Sequence, residues 1–108
     1  MSLALKPAVS GMLGACLMLA GCAGREIPMT ELRVNYGLRS SHTFEPEPGL
    51  VVHYTEEGKT GGRTLVLVHG FAASVHAWRA WVERLDDEYR IIAIDLPGHG
   101  LTLAPNDY

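Results

Sequence analysis

The stretch TLVLVHGFAAS, Thr64 to Ser74, decides how this chain folds. Its first five residues form a short, continuous apolar run of strand length, without the alternation of a strand that has one wet face. Such runs suit parallel strands covered on both sides. The run then meets His69-Gly70-Phe71 and a cluster of small residues, so the backbone must turn sharply where the strand stops. A buried parallel strand ending in polar and small residues is where the ligand sites of α/β proteins begin.

Outward from this strand the pattern repeats. In SVHAWRAWVERLDD, Val75, Trp78, Val82 and Leu85 recur at spacings of three and four, which predicts one apolar helical face. Ser74 is a suitable N-cap, since its hydroxyl can accept from a free amide of the first turn. YRIIAID is a second apolar run, stopped by Pro97, Gly98 and Gly100 in LPGHG. Strand, helix and strand joined by short loops predict a βαβ unit with a right-handed crossover. Upstream, Leu32–Leu38 and Leu50–Gly58 are the strand candidates, each bounded by turn signals. They predict an antiparallel opening pair. Pro46, Pro48 and Gly49 between them predict an irregular link, and EEGKTGGR a loop. The fold class is α/β: antiparallel opening strands, then the βαβ unit.

The segment from Leu65 to Thr102 resembles the N-terminal part of the α/β-hydrolase fold, in the branch of esterases, C–C bond hydrolases, epoxide hydrolases and haloperoxidases. There the third strand ends in His-Gly-x and the fourth in Asp-x-x-Gly-x-Gly. Here these are His69-Gly70-Phe71 and Asp95-Leu96-Pro97-Gly98-His99-Gly100. VVHYTEEG is similar to the family's second strand. The resemblance implies that the Phe71 backbone N–H is one donor of an oxyanion hole, a preorganised stabiliser of the charge that develops in acyl transfer. Gly70 would allow a backbone conformation that a Cβ opposes. His69, Asp95, Gly98, His99 and Gly100 are implied to structure the loops, with Asp95 as a tether. Phe71 beside Gly70, in place of a Gly-rich run, argues against the hormone-sensitive-lipase-like branch.

The remaining conspicuous side chains have plainer readings. His53 and His76 are expected to be ordinary strand and helix positions, because no Cys, His and carboxylate cluster has metal-ligand spacing. Trp78 and Trp81 are expected in the core or against a cap. No Gly-x-Ser-x-Gly occurs, so the nucleophile elbow is absent, and by resemblance nucleophile, acid and base all belong further along a complete domain. Ser74 and Thr102 lack an elbow and a base in reach. Residues 31–108 are thus expected to be a truncated α/β-hydrolase domain, inactive as it stands and exposed to aggregation along Thr64–Val68. No cofactor and no metal is expected. A small ester-like molecule would be the substrate of the complete protein, with Ser or Asp as nucleophile. The alternative is a non-catalytic lipoprotein module for binding or structure, derived from the same fold.

The N-terminus carries a separate message. Lys6 and the apolar run Ala8–Ala20 have the make-up of an export signal, and Arg25 arrives before the roughly 20 apolar residues of a spanning helix. Leu19-Ala20-Gly21-Cys22 resembles the lipobox of bacterial lipoproteins, which implies a signal peptide over residues 1–21 and a diacylglyceryl group on the Cys22 thiol. Residues 22–30 would be the lipidated tether. Ala23 in place of Asp implies the outer membrane of the cell envelope, facing the periplasm. Of the two cysteines, Cys16 would be removed and Cys22 blocked, leaving no disulfide. Loss of Lys6 leaves eight basic against 12 acidic residues. Such a balance offers no footprint for nucleic acid.

Overall fold

A computed structural model describes Gly24 and residues 26–108. The signal segment, Cys16 and Cys22 lie outside the described residues. The order is helix α1 (Met29–Tyr36), strands β1 (Ser41–Glu47), β2 (Leu50–Gly58) and β3 (Arg63–Val68), a 3-10 turn (Val75–Trp78), helix α2 (Arg79–Leu85) and strand β4 (Tyr89–Ile94). The four strands form one mixed sheet in the order β1-β2-β4-β3.

The βαβ unit forms where the apolar pattern placed it. β3 and β4 pair in parallel, from Arg63 opposite Tyr89 to Val68 opposite Ile94. β4 is central, since its other edge pairs antiparallel with β2 from Tyr54–Ile94 to Gly58–Arg90. Ile91 and Ala93 of β4 are accordingly buried, together with Val75 and Val82 from the connecting helical segment. The Ser74 hydroxyl accepts the His76 amide at 3.3 Å and opens that segment. Its first turn is 3-10 and only Arg79–Leu85 is α-helical.

The opening strands are antiparallel, but one of them stands elsewhere than the sequence predicted. Leu32–Leu38 is not a strand. Met29–Tyr36 is α1, which follows Pro28, carries Glu31 in its first turn and closes with the Gly37 amide on the Arg33 carbonyl. The first strand is instead Ser41–Glu47, within the link that the prolines were expected to keep irregular. Proline is tolerated on an edge strand and at a bulge. Pro46 has both conditions: β1 is an edge of the sheet, and its register against β2 shifts between Phe44 and Glu47. Gly49, with φ of 85°, makes the turn into β2.

At the other edge, β3 has no partner beyond β4 among the described residues, and Val66 and Val68 are 56% and 51% exposed. The apolar run is therefore covered on one side only. No helix of the described residues is long and apolar enough to cross a membrane.

Candidate functional site

The C-terminal ends of β3 and β4 lie side by side, so the loops leaving them meet. Asp95, directly after β4, is 1% exposed, and its carboxylate is fully engaged. Oδ1 accepts the Val75 amide at 2.8 Å, at the start of the 3-10 turn. Oδ2 accepts the Leu101 amide at 2.9 Å and Nδ1–H of His53 at 2.7 Å. The backbone repeats the link, because the Asp95 amide donates to the His53 carbonyl at 3.0 Å. Burial pushes the Asp95 carboxyl up, yet the His53 hydrogen bond and the Leu101 and Val75 amides together hold it below its ordinary value. One ionised carboxylate thus joins β2, β4, the 3-10 turn and the loop after β4.

Gly100 exists for this contact. Its φ is 52°, and a Cβ there would collide with the Asp95 carboxylate. Gly98 also has a positive φ, 75°, but a Cβ at that position would meet nothing within 4 Å. The hydroxyl of Thr102 donates to the Asp95 carbonyl at 2.6 Å and accepts the His53 amide at 2.9 Å.

His69 makes a second clasp between the two strand ends. Its Nδ1–H donates to the Gly70 carbonyl at 2.8 Å, and Nε2 accepts the Leu96 amide at 3.0 Å. That pair of partners requires the neutral Nδ1–H tautomer and occupies both nitrogens. His69 is 4% exposed, so it offers no free lone pair for proton abstraction. His99 donates from Nδ1 to the Pro97 carbonyl at 3.1 Å, and its ring lies 5.2 Å from that of His69.

The turn after β3 runs from Gly70 to Ala73, closed by the Ala73 amide on the Gly70 carbonyl at 3.3 Å. The conformational demand expected of Gly70 falls on Ala72 instead. Gly70 lacks a positive φ and a Cβ there would meet nothing, whereas Ala72 has φ of 55°. This turn needs its left-handed residue at the third position, a conformation that costs a residue with a Cβ about 1–2 kcal/mol. Phe71 is 96% exposed, its ring edge-on to His99, and its amide makes no backbone hydrogen bond among the described residues.

The structure brings His69, Gly70, Phe71, Asp95, Gly98, His99 and Gly100 to one end of the sheet. Ser74 only caps the following turn. His76, exposed on that turn, holds the Tyr36 carbonyl of α1 at 2.9 Å. Trp78 is partly buried with its Nε1 unpartnered, while Trp81 is 58% exposed. Among the described residues no three His, Cys, Asp or Glu side chains group to hold a metal ion. Sequence reasoning missed His53, which is no ordinary strand position but the buried partner of Asp95. The available signal was an ionisable side chain within the apolar run LVVHY, matched by a carboxylate closing another apolar run.

Comparison with known proteins agrees with this fold. Residues 63–108 match the family model of the alpha/beta hydrolase fold. Human epoxide hydrolase 4 is 39% identical over 59 residues, which are 55% of this chain and 16% of that protein. The crystal structure of the esterase RhEst1 from Rhodococcus sp. ECU1013 is 37% identical with a TM-score of 0.57, over 61% of this chain and 24% of that one. A membrane phospholipase A described as a bacterial virulence factor is 34% identical with a TM-score of 0.59, over 89% of this chain and 33% of that one. The chain spans about a fifth of the length of the curated relatives it matches. Its fold is α/β-hydrolase-like, and it corresponds to part of those much larger domains.

The two glycines after β4 separate the carboxylate contact from simple backbone strain. Gly98→Ala should cost about 1–2 kcal/mol, the penalty of a positive φ alone. Gly100→Ala displaces the Asp95 carboxylate and should cost more, about 3–5 kcal/mol, as when a buried charge loses its partners. Urea unfolding of the two variants beside the parent chain measures the difference.

Proposed function

We propose that this chain is the opening part of a lipid-anchored hydrolase of the bacterial cell envelope. In this reading the complete protein cleaves a small ester-like substrate with a nucleophile-acid-histidine triad. The observation that carries it is the loop after β3. There the Phe71 amide stands unpaired on a turn clamped through His69 and Asp95 to the end of β4. An N–H so fixed suits a developing oxyanion, since it needs no reorganisation as charge appears. Relatives named as epoxide hydrolases and esterases support a hydrolytic reaction.

The roles divide among the residues as follows. Phe71 gives one oxyanion donor through its backbone. His69 and Asp95, both buried and fully hydrogen-bonded, position the turn that carries it. Gly98, His99 and Gly100 shape the facing loop. The triad comes from the rest of the domain, and its nucleophile is Ser if the bond is an ester, Asp if it is an epoxide. The reading needs no cofactor, metal or nucleic acid. Cys22 would carry the lipid, with the domain facing the periplasm from the outer membrane.

In the complete protein, Phe71→Leu should retain most turnover, because the amide survives. Phe71→Pro deletes the amide hydrogen and should lower kcat about 10²–10³-fold. Equal activity of the two variants would remove the oxyanion assignment.

Anchoring is tested separately. Cells fed radiolabelled palmitate should label the parent protein and leave Cys22→Ser unlabelled. Attachment should persist in high salt, because acyl burial does not depend on charge. Equal labelling of both forms would end the lipoprotein reading.

A further inference from the structure

The histidine that binds Asp95 has a second nitrogen, and its partner is a hydroxyl. His53 Nε2 lies 2.7 Å from Ser41 Oγ, at the first residue of β1. Nδ1 must carry the proton of the imidazole, because its partner is an ionised carboxylate that only accepts. Nε2 is then a lone pair, and the Ser41 hydroxyl donates to it. Ser41, His53 and Asp95 thus form a line of hydroxyl, imidazole and carboxylate with both links at 2.7 Å.

The three environments are graded. Asp95 is 1% and His53 2% exposed, while Ser41 is half-buried. Ser41 opens on a cleft of about 370 Å³ bordered by Arg33, Gly37, Leu38, His42 and Thr43. The carboxylate cannot swing away, since the Val75 and Leu101 amides fix both of its oxygens. A nucleophile in reach of a base that is itself oriented by a third group is the arrangement that activates serine. It stands apart from the Phe71 turn, on the far side of Asp95 in the hydrogen-bond network.

We propose that Ser41 is a nucleophilic serine, with His53 as its general base and Asp95 as positioning residue, open to small esters in the cleft beside α1. Ser41 Oγ attacks the ester carbonyl carbon as the hydroxyl proton passes to His53 Nε2. The imidazolium keeps its Nδ1–H on the Asp95 carboxylate. As the tetrahedral adduct collapses, the C–O bond to the leaving alcohol breaks, and that oxygen takes the proton from Nε2. Water then adds to the acyl-serine, delivers a proton to Nε2, and releases the acid while Ser41 regains its proton. The Leu38 amide donates to Ser41 Oγ at 2.9 Å and so helps hold the hydroxyl toward His53 Nε2. Arg33, in no ion pair among the described residues, gives the cleft a cationic wall and favours an acyl group with a negative end.

This site needs no residue beyond the 108 of this chain, so it is testable independently of the hydrolase reading. The full chain is incubated with an alkyl fluorophosphonate, which forms a P–O bond to an activated serine and loses fluoride. Adducts are then mapped by peptide mass spectrometry. Ser40 is the internal control: it adjoins Ser41 in sequence, but its hydroxyl donates to the Glu57 carboxylate and has no histidine. Ser41 should label about a hundredfold faster than Ser40 or Ser74, the scale of general-base assistance. Ser41→Ala should abolish that adduct. His53→Gln should slow it by a similar factor, with the far-ultraviolet circular dichroism of the parent chain as the check on folding. Absence of an adduct on wild-type Ser41 would overturn the proposal, as would similar rates at all three serines. Equal Ser41 labelling in a folded His53→Gln chain would also overturn it.

Discussion

A single buried carboxylate holds this part of the molecule together. Asp95 is ionised in a place that excludes water, a state that persists only if every lone pair in reach is answered. Three donors answer it, from three separate segments: His53 of β2, Val75 at the start of the 3-10 turn and Leu101 beyond β4. Hydrogen bonds to a charged group contribute about 1.5–3 kcal/mol each, and losing one strands a buried charge. The requirement propagates. Gly100 must lack a side chain so that the return loop can close on the carboxylate, and Thr102 repeats the clasp through the backbone.

That constraint fixes the turn after β3 without touching it. Val75 anchors the segment that follows the turn, and His69 ties its first residue to Leu96, the neighbour of Asp95. The turn can therefore hold Ala72 in a left-handed conformation and leave the Phe71 amide unpaired. Val66, Val68, Phe71 and Trp81 are all more than half exposed.

Much of this was legible in the sequence, for a physical reason. TLVLV and RIIAI are apolar runs of strand length rich in β-branched residues, and the intervening three-four spacing marks a helix between them. Their end motifs located the corner where the loops meet. What failed depended on tertiary context. Leu32–Leu38 has strand-like residues, yet Pro28 and Glu31 precede it and Gly37 lies within it as a C-cap, and those boundaries set a helix over Met29–Tyr36. Pro46 argued against a strand, yet an edge with a bulge accepts it. The partnership of His53 with Asp95 spans 42 positions and two strands that are not sequence neighbours, so no local spacing rule could reveal it. Nor could any pattern show that Ser41 completes the line, since β1 itself was not foreseen.

The role of the Asp95 carboxylate is most directly tested by acid. Its folded-state pKa lies below the ordinary value, so its contribution is fully present above that value and is lost as pH falls through the folded one. Urea unfolding of the parent chain and of Asp95→Asn from neutral pH downward isolates this contribution. The parent should be more stable near pH 7 by about 3–5 kcal/mol, the cost of breaking a buried charged pair. The gap should narrow as pH falls below about 4. A gap that is absent at neutral pH, or that stays constant into acid, would contradict the central place given to this carboxylate.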